Sequence, residues 1–331
     1  MGATLTEVAQ AAGVSLATAS RAFKDPERLA AGTRDRVLKA AAELRYDTQA
    51  SVATRTFAVV VPDAANPIFA ALIASIQEKA WAGRNHVLLY NTAEHPSIED
   101  QVLRSLGPNV SGVVLASPRL PAAELEAAMG TTPLVVINSG VRFCPSVLLD
   151  ADTGLEQTFE HLGALGHRHL AYAPGPRSAW ANRRREALVR ECAQRWDMRL
   201  DVVGHQSATV EGGLAAAASV VASGATAVVA YNDLVALGVR AGARAMGKEC
   251  PRDLSIVGID DLNVAAVSEP SLTTVRVDIT DGGARAYQIL ADILAGKKVP
   301  AEPEHRPSQL IVRHSTTLAP AHAHPSDRSE S

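Results

Sequence analysis

The chain has 331 residues, a net charge of −3 and an apolar fraction of 47%. This length predicts two or three folding units with substantial cores, and no apolar run of about 18 residues indicates a transmembrane helix. The slight negative charge argues against a protein that coats nucleic acid without specificity, but it is compatible with a small DNA-binding module.

Residues 4–46 show three short helical patterns and no strand-like alternation. The first runs from about residue 5 to 12, the second from 16 to 23, and the third from 33 onward. Residues that favour helix ends flank these patterns: Thr4 with Glu7 in capping-box relation, Gly13 after the first helix, Ser15 before the second and Thr33 before the third. In the third pattern, Val37, Leu38, Ala41 and Leu44 recur at helical spacing. We expect an all-α module with a small core.

From residue 57 the sequence pattern changes to short apolar runs separated by helical segments. This pattern is typical of parallel strands covered on both faces. The first five runs are 57–63, 86–92, 112–117, 133–139 and 146–150, and the second five are 169–175, 200–205, 226–232, 254–261 and 272–278. Five strands in each half predict two doubly wound α/β lobes rather than one sheet. Ligands of such folds lie beyond the carboxyl ends of the strands, so we expect a binding cleft between the lobes.

The first two helices have the plan of a helix-turn-helix, with Gly13 in the turn and small Ala9 where the helices cross. The second helix would enter the major groove, where Arg21 is able to make a bidentate contact with guanine. The predicted DNA-contacting residues of this module are Thr4, Ser15, Leu16, Ala17, Thr18, Ser20, Arg21, Lys24, Arg28 and Thr33. An ordinary amphipathic helix pair within a core is the alternative. Seven basic against six acidic residues up to Asp47 are a weak electrostatic signal, so this pattern by itself leaves both interpretations open.

The segments "TEVAQAAGVSLATASRAF" and "TRDRVLKAAAELRY" resemble the DNA-binding headpiece of the LacI/GalR family of transcriptional repressors. The resemblance continues through "VVVPDAANPIFAALIASIQ", "EHLGALGHRHLAYAPG", "NDLVALG", "VGIDD", "PSLTTVRVD" and "LIVRHST", and so covers almost the whole chain. It implies a headpiece followed by two periplasmic-binding-protein-like lobes that form a homodimer. It also implies a near-palindromic DNA operator and a small-molecule effector, for which a sugar or sugar derivative is expected.

Candidate effector contacts follow the predicted strands. By resemblance, Arg185, Asn138, Asn232 and Asp260 match effector-binding positions of the family, and Asp63 and Phe69 are further matches. Trp180 is interpreted as a residue that stacks on a sugar ring, with a role in the core as the alternative. Asp233 and Asp261 are equally compatible with effector binding and with helix capping.

Residues 47–56 correspond to the hinge of the family, in which a short helix inserts a leucine into the minor groove. Here that leucine is missing, and only ten residues separate Tyr46 from Phe57. Val52 is the only sizeable apolar side chain that could act as the wedge. We therefore expect a shortened hinge that kinks DNA weakly.

Together these observations predict four segments: a DNA-binding domain at 1–46, the hinge at 47–56, a two-lobed effector-binding and dimerisation core at 57–315, and a disordered tail at 316–331. The expected function is an effector-controlled DNA-binding regulator, and a repressor in particular. The alternative is an effector-binding module that no longer reads DNA sequence. The chain has no secretory signal pattern, no phosphate-binding glycine loop and no nucleophile motif, so we expect a cytoplasmic protein without cofactor or catalytic activity. The closely spaced His161, His167 and His169 lack metal-ligand spacing and are interpreted as structural.

Overall fold

The computed structural model describes residues 3–24, 29–44, 46, 54–300 and 302–320. The chain divides into two compact units, Met1–Arg55 and Thr56–Ser331. The second unit therefore begins one residue before the predicted start of the core.

The first unit contains α1 (Leu5–Ala12), α2 (Leu16–Lys24) and α3 (Ala31–Glu43). The predicted capping box at the start of α1 is confirmed, because Thr4 Oγ1 accepts from the Glu7 backbone N–H and Glu7 Oε2 accepts from the Thr4 N–H at 2.6 Å. Gly13 ends α1 in the left-handed conformation at φ 64°, which glycine adopts without steric cost. Val8, Ala19 and Val37, one from each helix, are completely buried in the small core of this unit.

The third helix differs from its predicted form. It begins at Ala31, so Thr33 lies in its first turn and is not its N-cap. Its buried residues are Val37, Ala40 and Ala41, whereas Leu38 and Leu44 are exposed. Positions 37, 40 and 41 follow the i, i+3, i+4 spacing of one helix face, and Leu38 lies beside that face rather than on it.

The second unit contains two six-stranded sheets, each covered by helices. Lobe 1 is built on strands β1 (Thr56–Val61), β2 (His86–Asn91), β3 (Gly112–Ala116), β4 (Leu134–Ile137) and β5 (Ser146–Leu149), with helices α4 (Pro67–Ala82), α5 (Pro96–Leu106) and α6 (Ala122–Met129). Lobe 2 is built on β6 (His169–Ala173), β7 (Arg199–Val202), β8 (Ala227–Ala230), β9 (Ser255–Asp260) and β10 (Thr273–Arg276), with α7 (Asp152–Ala164), α8 (Trp180–Arg195), α9 (Val210–Ser223), α10 (Asp233–Ala245) and α11 (Asn263–Val267). All ten predicted strands are present.

The long helix α12 (Ile279–Leu294) follows β10 but packs on α4 in lobe 1. Two strands that the sequence pattern did not predict come after it, β11 (Glu304–Arg306) and β12 (Gln309–Ile311). Strand β11 pairs with β5 in lobe 1, and β12 pairs antiparallel with β10 in lobe 2. The chain therefore passes between the lobes three times: after β5, after β10 and after β11.

The strand order is β11-β5-β4-β3-β1-β2 in lobe 1 and β12-β10-β9-β8-β6-β7 in lobe 2. Apart from β12, all pairs are parallel. Both faces of these sheets are buried, since Phe57, Val59 and Val61 of β1 pack into one core while Ala58 and Val60 pack into the other. This explains why the strands are continuous apolar runs in the sequence.

The segment after residue 315 is ordered where it is described, so the predicted disordered tail begins too early. Thr317 O lies 3.0 Å from Nε2 of the fully buried His167, and Thr316 Oγ1 lies 2.9 Å from His161 Nε2. The Ala319 N–H donates to Leu165 O at 2.8 Å. A buried imidazole needs partners for both ring nitrogens, and this segment supplies the partner of His167 Nε2, while Thr226 Oγ1 lies 2.8 Å from Nδ1. Residues 321–331 lie outside the described residues.

No helix in the described part of the chain combines the length and the apolar character needed to cross a membrane.

We expect truncation after Ser315 to destabilise the second unit by about 2 kcal/mol or more, because it removes several hydrogen bonds and leaves buried polar atoms of lobe 2 without partners. Truncation after Pro320 is the matched control, since it keeps every contact described above. Calorimetric unfolding of the two truncated chains and the full chain would measure the difference. Equal transition temperatures for the two truncated chains would contradict the structural role of residues 316–320.

Candidate functional site

The cleft between the lobes lies where the fold type places ligands. If β11 and β12 are left out and the strands of each lobe are numbered along the chain, both sheets have the order 2-1-3-4-5. The strand order therefore reverses between β1 and β3 in lobe 1 and between β6 and β8 in lobe 2. Ligands of doubly wound folds bind beyond the carboxyl ends of strands at such a reversal. A cavity of about 40 Å³, the inner cavity, lies there and is lined by residues of both lobes.

Lobe 2 contributes a buried ion pair to the inner cavity. Arg185 on α8 and Asp260 at the end of β9 are each 7% exposed, and Arg185 Nη2 lies 3.6 Å from Asp260 Oδ1. Arg185 Nη1 donates to the Tyr231 carbonyl at 2.7 Å, and its guanidinium lies 4.9 Å from the centre of the Tyr231 ring. Tyr231 thus holds the arginine through both its backbone and its aromatic face.

The pKa of Asp260 is raised from 3.8 to about 6 because burial penalises the charged carboxylate more than Arg185 stabilises it. The Asp260 backbone has a φ of 120°, a conformation that costs free energy in a residue other than glycine. Asp260 is therefore an unfavourable residue for the fold itself, which is a common property of residues kept for binding or catalysis.

Lobe 1 contributes a second ion pair, which was not predicted. Arg119, three residues after β3, donates from Nε to Glu94 Oε2 at 2.5 Å and from Nη2 to Glu94 Oε1 at 2.8 Å. Its Nη1 donates to the Ser117 carbonyl. Glu94, Ser117 and Arg119 all line the inner cavity opposite the residues of lobe 2.

Left-handed backbone conformations recur around this cavity. Three lining residues of lobe 1 have such values, Glu94 at 64°, Ser117 at 47° and Asn138 at 54°, and each follows the carboxyl end of a strand. Together with Asp260 they make four strained positions contributed by both lobes. Strain of this kind persists only where the surroundings fix it, and it clusters at functional sites.

Five of the predicted effector residues line the inner cavity: Phe69, Asn138, Arg185, Asn232 and Asp260. The Asn232 side chain also caps α10, where it accepts from the Val235 N–H at 2.9 Å, and it donates to Ala208 O. Asn138 Oδ1 accepts from the Leu149 N–H at 2.8 Å, which links the ends of β4 and β5. These two amides therefore shape the cavity wall as well as face it.

Asp63 and Trp180 are not among the residues that line the inner cavity. Asp63 Oδ1 accepts from the Ala65 N–H at 2.9 Å in the turn before α4. The indole of Trp180 lies against Gly140, where an added Cβ would come within 2.8 Å of its Nε1. Trp180, at the start of α8, thus spans from lobe 2 to lobe 1 beside the cavity, which favours its structural alternative.

Asp233 and Asp261, which the sequence left as either effector contacts or helix caps, both bind partners within lobe 2. Asp233 is fully buried and accepts from the Leu262 N–H at 2.7 Å and from Thr274 Oγ1 at 2.5 Å. Burial, together with the charge of Asp260, raises its pKa well above the usual range. Asp261 pairs with Arg276 and Arg313. Asp233 therefore fixes the turn that carries Asp260, and it acts on the cavity only through that turn.

The predicted DNA-contacting residues on and around α2 differ in exposure. Leu16 is 50% exposed, and Ser15, Ala17 and Arg21 are also exposed. Ser15 Oγ accepts from the Thr18 N–H at 3.1 Å, so this serine also caps the helix. Of the remaining predicted contacts, Thr18, Ser20 and Thr33 are half-buried, and Thr4 is engaged in the capping box. Arg28, Val52 and the side chain of Lys24 lie outside the described residues.

The main residues that the sequence did not reveal are Glu94, Arg119 and Tyr231. Tyr231 was contained in a predicted strand, and its place directly before Asn232 is a signal that could have identified it. Arg119 and Glu94 are 25 residues apart and lie in loops. The only signal for them is that both follow a strand of lobe 1 within a few residues.

Two family descriptions match the chain: "Bacterial regulatory proteins, lacI family" over residues 4–49 and "Periplasmic binding protein-like domain" over residues 159–316. The HTH-type transcriptional regulator MalR of Streptomyces coelicolor is 31% identical over 335 residues, which cover 96% of this chain and 97% of MalR. The HTH-type transcriptional repressor CytR of Escherichia coli is 29% identical, with coverages of 96% and 97%.

Solved structures agree with these matches. A Lac repressor dimer bound to operator and the anti-inducer ONPF has a TM-score of 0.74 at 25% identity, over 96% of this chain and 100% of its own. The complex of the transcriptional regulator CelR with cellobiose has a TM-score of 0.72 at 27% identity, with coverages of 95% and 99%. The predicted fold class, a helix-turn-helix headpiece with two doubly wound lobes, is confirmed. Because the similarity to MalR extends over nearly the whole sequence, this chain belongs to the lacI family of bacterial regulatory proteins.

Proposed function

We propose that this chain is a sequence-specific DNA-binding transcriptional repressor whose operator affinity is controlled by a sugar bound between its lobes. The observation that carries the proposal is the inner cavity, where Arg185 and Asp260 of lobe 2 face a second guanidinium–carboxylate pair of lobe 1. Such a pair offers hydrogen-bond donors beside an acceptor, which suits neighbouring hydroxyl groups. Phe69 and Tyr231 add aromatic surface for the ring of a sugar.

The similar proteins support the same assignment. MalR and CytR are named as a transcriptional regulator and a transcriptional repressor. The Lac repressor structure contains operator and an anti-inducer, and the CelR structure contains cellobiose. None of these names describes an enzyme, which supports binding without turnover in the cleft of this chain.

The size of the inner cavity suggests how a ligand acts. Pockets for small molecules typically hold about 300 to 1,000 Å³, far more than the inner cavity provides. Asp260, Ile68 and Ile279 also line an adjoining cavity of about 540 Å³, so the cleft widens directly beside the ion pair of lobe 2. A sugar that reaches Arg185 must therefore separate the lobes. It changes DNA affinity to the extent that it binds the two lobe arrangements differently.

The DNA-reading part of the proposal rests on α2. Its exposed residues include the apolar Leu16 and Ala17, which could contact a thymine methyl group, and Arg21, which could contact guanine. The helix needs none of these side chains for the core of its own unit, because Ala19 and Ala22 supply the buried face. Repression requires two such helices to reach two half-sites, as in other helix-turn-helix dimers.

Dimerisation through a second copy of the chain is supported by exposed apolar side chains of α4 and β2 in lobe 1. Trp81 near the end of α4 is 82% exposed, and Leu88 and Leu89 on the edge strand β2 are also exposed. Large apolar side chains in such positions mark interfaces. We name this set, Trp81, Leu88 and Leu89, the β2 edge face.

The proposal as a whole is tested by fluorescence anisotropy on DNA from upstream of the genes beside this one, with and without sugars, at about 0.15 M salt. We expect one such DNA to bind at least 100-fold tighter than random DNA and the binding to respond to one sugar. If every upstream fragment binds no tighter than random DNA, the chain is not a sequence-specific regulator.

Arg21 offers a sharper test of DNA reading. We expect Arg21→Lys to retain affinity for random DNA but to lose about tenfold or more of the discrimination for operator, because lysine keeps the charge and lacks the planar fork. Arg21→Ala should lose discrimination and also some affinity for random DNA. Unchanged discrimination in Arg21→Lys would contradict base contact by Arg21.

The raised pKa of Asp260 predicts that its ionised carboxylate lowers the stability of the fold, although the same side chain contributes to sugar binding. The folded chain holds the proton up to about pH 6, whereas the unfolded chain releases it near 3.8. The contribution of this bound proton to the free energy of unfolding is therefore fully present below about pH 4, and it is lost as the pH rises to about 6. Asparagine is neutral throughout, so we expect Asp260→Asn to be more stable than the parent by roughly 2–3 kcal/mol at pH 8 and equally stable at pH 4.

Urea unfolding at the two pH values would measure this difference, and calorimetry with the identified sugar should show at least tenfold weaker binding by Asp260→Asn. A variant that is less stable than the parent at pH 8 would show that Arg185 stabilises the ionised carboxylate more strongly than burial destabilises it.

The dimer is tested at Trp81. We expect Trp81→Glu to weaken dimerisation by about 30-fold or more, because an aromatic residue central to an interface typically contributes at least 2 kcal/mol. Trp196→Glu is the matched control, since Trp196 is 40% exposed on lobe 2, away from the β2 edge face. Sedimentation equilibrium would measure both. Equal dimer affinities of the two variants would place the interface elsewhere.

A further inference from the structure

Arg119 is held in the wall of the inner cavity by two separate glutamates. Glu94 accepts two hydrogen bonds from its guanidinium, and Ser117 O accepts a third. The Arg119 side chain is only 2% exposed. A surface arginine would leave its guanidinium in water, so this burial requires the partners that lobe 1 provides.

The second glutamate fixes the backbone of the same loop. Glu99 on α5 is 1% exposed, and its carboxylate accepts from the Arg119 N–H at 3.0 Å and from the Leu120 N–H at 2.9 Å. Burial raises the pKa of Glu99, and the two backbone hydrogen bonds oppose that shift. The loop is thereby anchored to α5, and the guanidinium points to the cavity from a rigid base.

The charges that line the inner cavity balance. Arg119 and Arg185 supply two positive charges, and Glu94 and Asp260 supply two negative charges. The remaining lining residues are apolar, amide, hydroxyl or phenol side chains, with no lysine or histidine among the described ones. An anionic group placed here would meet two carboxylates as well as two guanidiniums, and it would lose its hydration without a net opposite charge. A hydroxyl group can donate to the carboxylates and accept from the guanidiniums at once.

We propose that Arg119 and Glu94 are specificity-determining residues that read the effector from lobe 1, and that the balanced pairs of the two lobes select a neutral sugar over its phosphorylated or acidic counterparts. This inference rests on the proposed function, because it concerns the ligand of the same cleft. It assigns to lobe 1 a polar recognition role equal to that of Arg185 and Asp260. It also makes ligand charge the property by which the cleft discriminates.

The test uses the full-length protein and calorimetric titration, after a thermal-shift screen of glucose, galactose, ribose, maltose and cellobiose. For the best-binding sugar, its phosphate ester and its uronic or aldonic acid are titrated next. We expect both anionic forms to bind at least tenfold more weakly than the neutral sugar. An anionic form that binds more tightly would overturn the inference.

The variants separate recognition by lobe 1 from folding. Arg119→Gln should weaken binding of the neutral sugar at least tenfold. Glu94→Gln removes one negative charge at constant size, and we expect it to improve the ratio of anionic to neutral binding by about tenfold or more. Arg104→Gln, which changes an exposed arginine of the same lobe on α5, should leave all affinities unchanged.

If Arg119→Gln unfolds, Arg119→Lys keeps the charge without the fork, and the Glu94→Gln ratio is read independently. Unchanged sugar affinity in a folded Arg119 variant, or an unchanged ratio in Glu94→Gln, overturns the inference while the proposed function stands. If none of the neutral sugars and none of their phosphate esters or acids shifts the melting temperature, the failure is of the proposed sugar effector itself.

Discussion

The three passages of the chain between the lobes are the constraint on which the cleft depends. They follow β5, β10 and β11, so all three leave a sheet at the carboxyl end of a strand. This is the edge at which parallel α/β sheets place their loops and their ligands. Because the connections join the lobes at these edges, residues that follow strands of both lobes line the same cavity. The site is therefore a consequence of topology before any particular side chain is considered.

The connections are also fixed to one another. The Gly154 N–H at the start of α7 donates to Ser308 Oγ at 3.0 Å, and the Asp150 N–H donates to Arg306 O at 3.2 Å. Gly154 lies so close to β10 that an added Cβ would come within 2.3 Å of Val275 Cγ1. The first connection is thus packed against the third and against β10, the strand from which the second connection starts. A movement of one lobe must deform all three together, which favours rotation of the lobes as bodies over local rearrangement.

Much of this architecture was predictable because it repeats a simple pattern. Ten apolar runs identified ten strands, since strands buried on both faces need no polar alternation. Strands β11 and β12 were not predicted, because each has only three residues and includes polar ones. Their structure is determined by pairing with β5 and β10, which the local sequence does not reveal. Asp260 and Arg185 were identified through resemblance. Arg119 and Glu94 were not, because their relation is a contact between loops 25 residues apart. The order of residues 316–320 likewise depends on the distant His161 and His167, so composition alone misassigned it.

The two arginines of the cavity differ in how firmly they are held, and this difference bears on how a ligand could move the lobes. Arg119 donates two hydrogen bonds to Glu94. The loop that carries Arg119 is itself anchored, because the Arg119 N–H donates to the Glu99 carboxylate. Arg185 approaches its own carboxylate only to 3.6 Å, and its closest partner is the Tyr231 carbonyl. The next residue, Asn232, caps α10, so any shift of Arg185 acts on the junction of β8 and α10. Lobe 1 therefore offers a fixed surface, whereas lobe 2 can exchange the contacts of Arg185 for contacts with a ligand at lower cost.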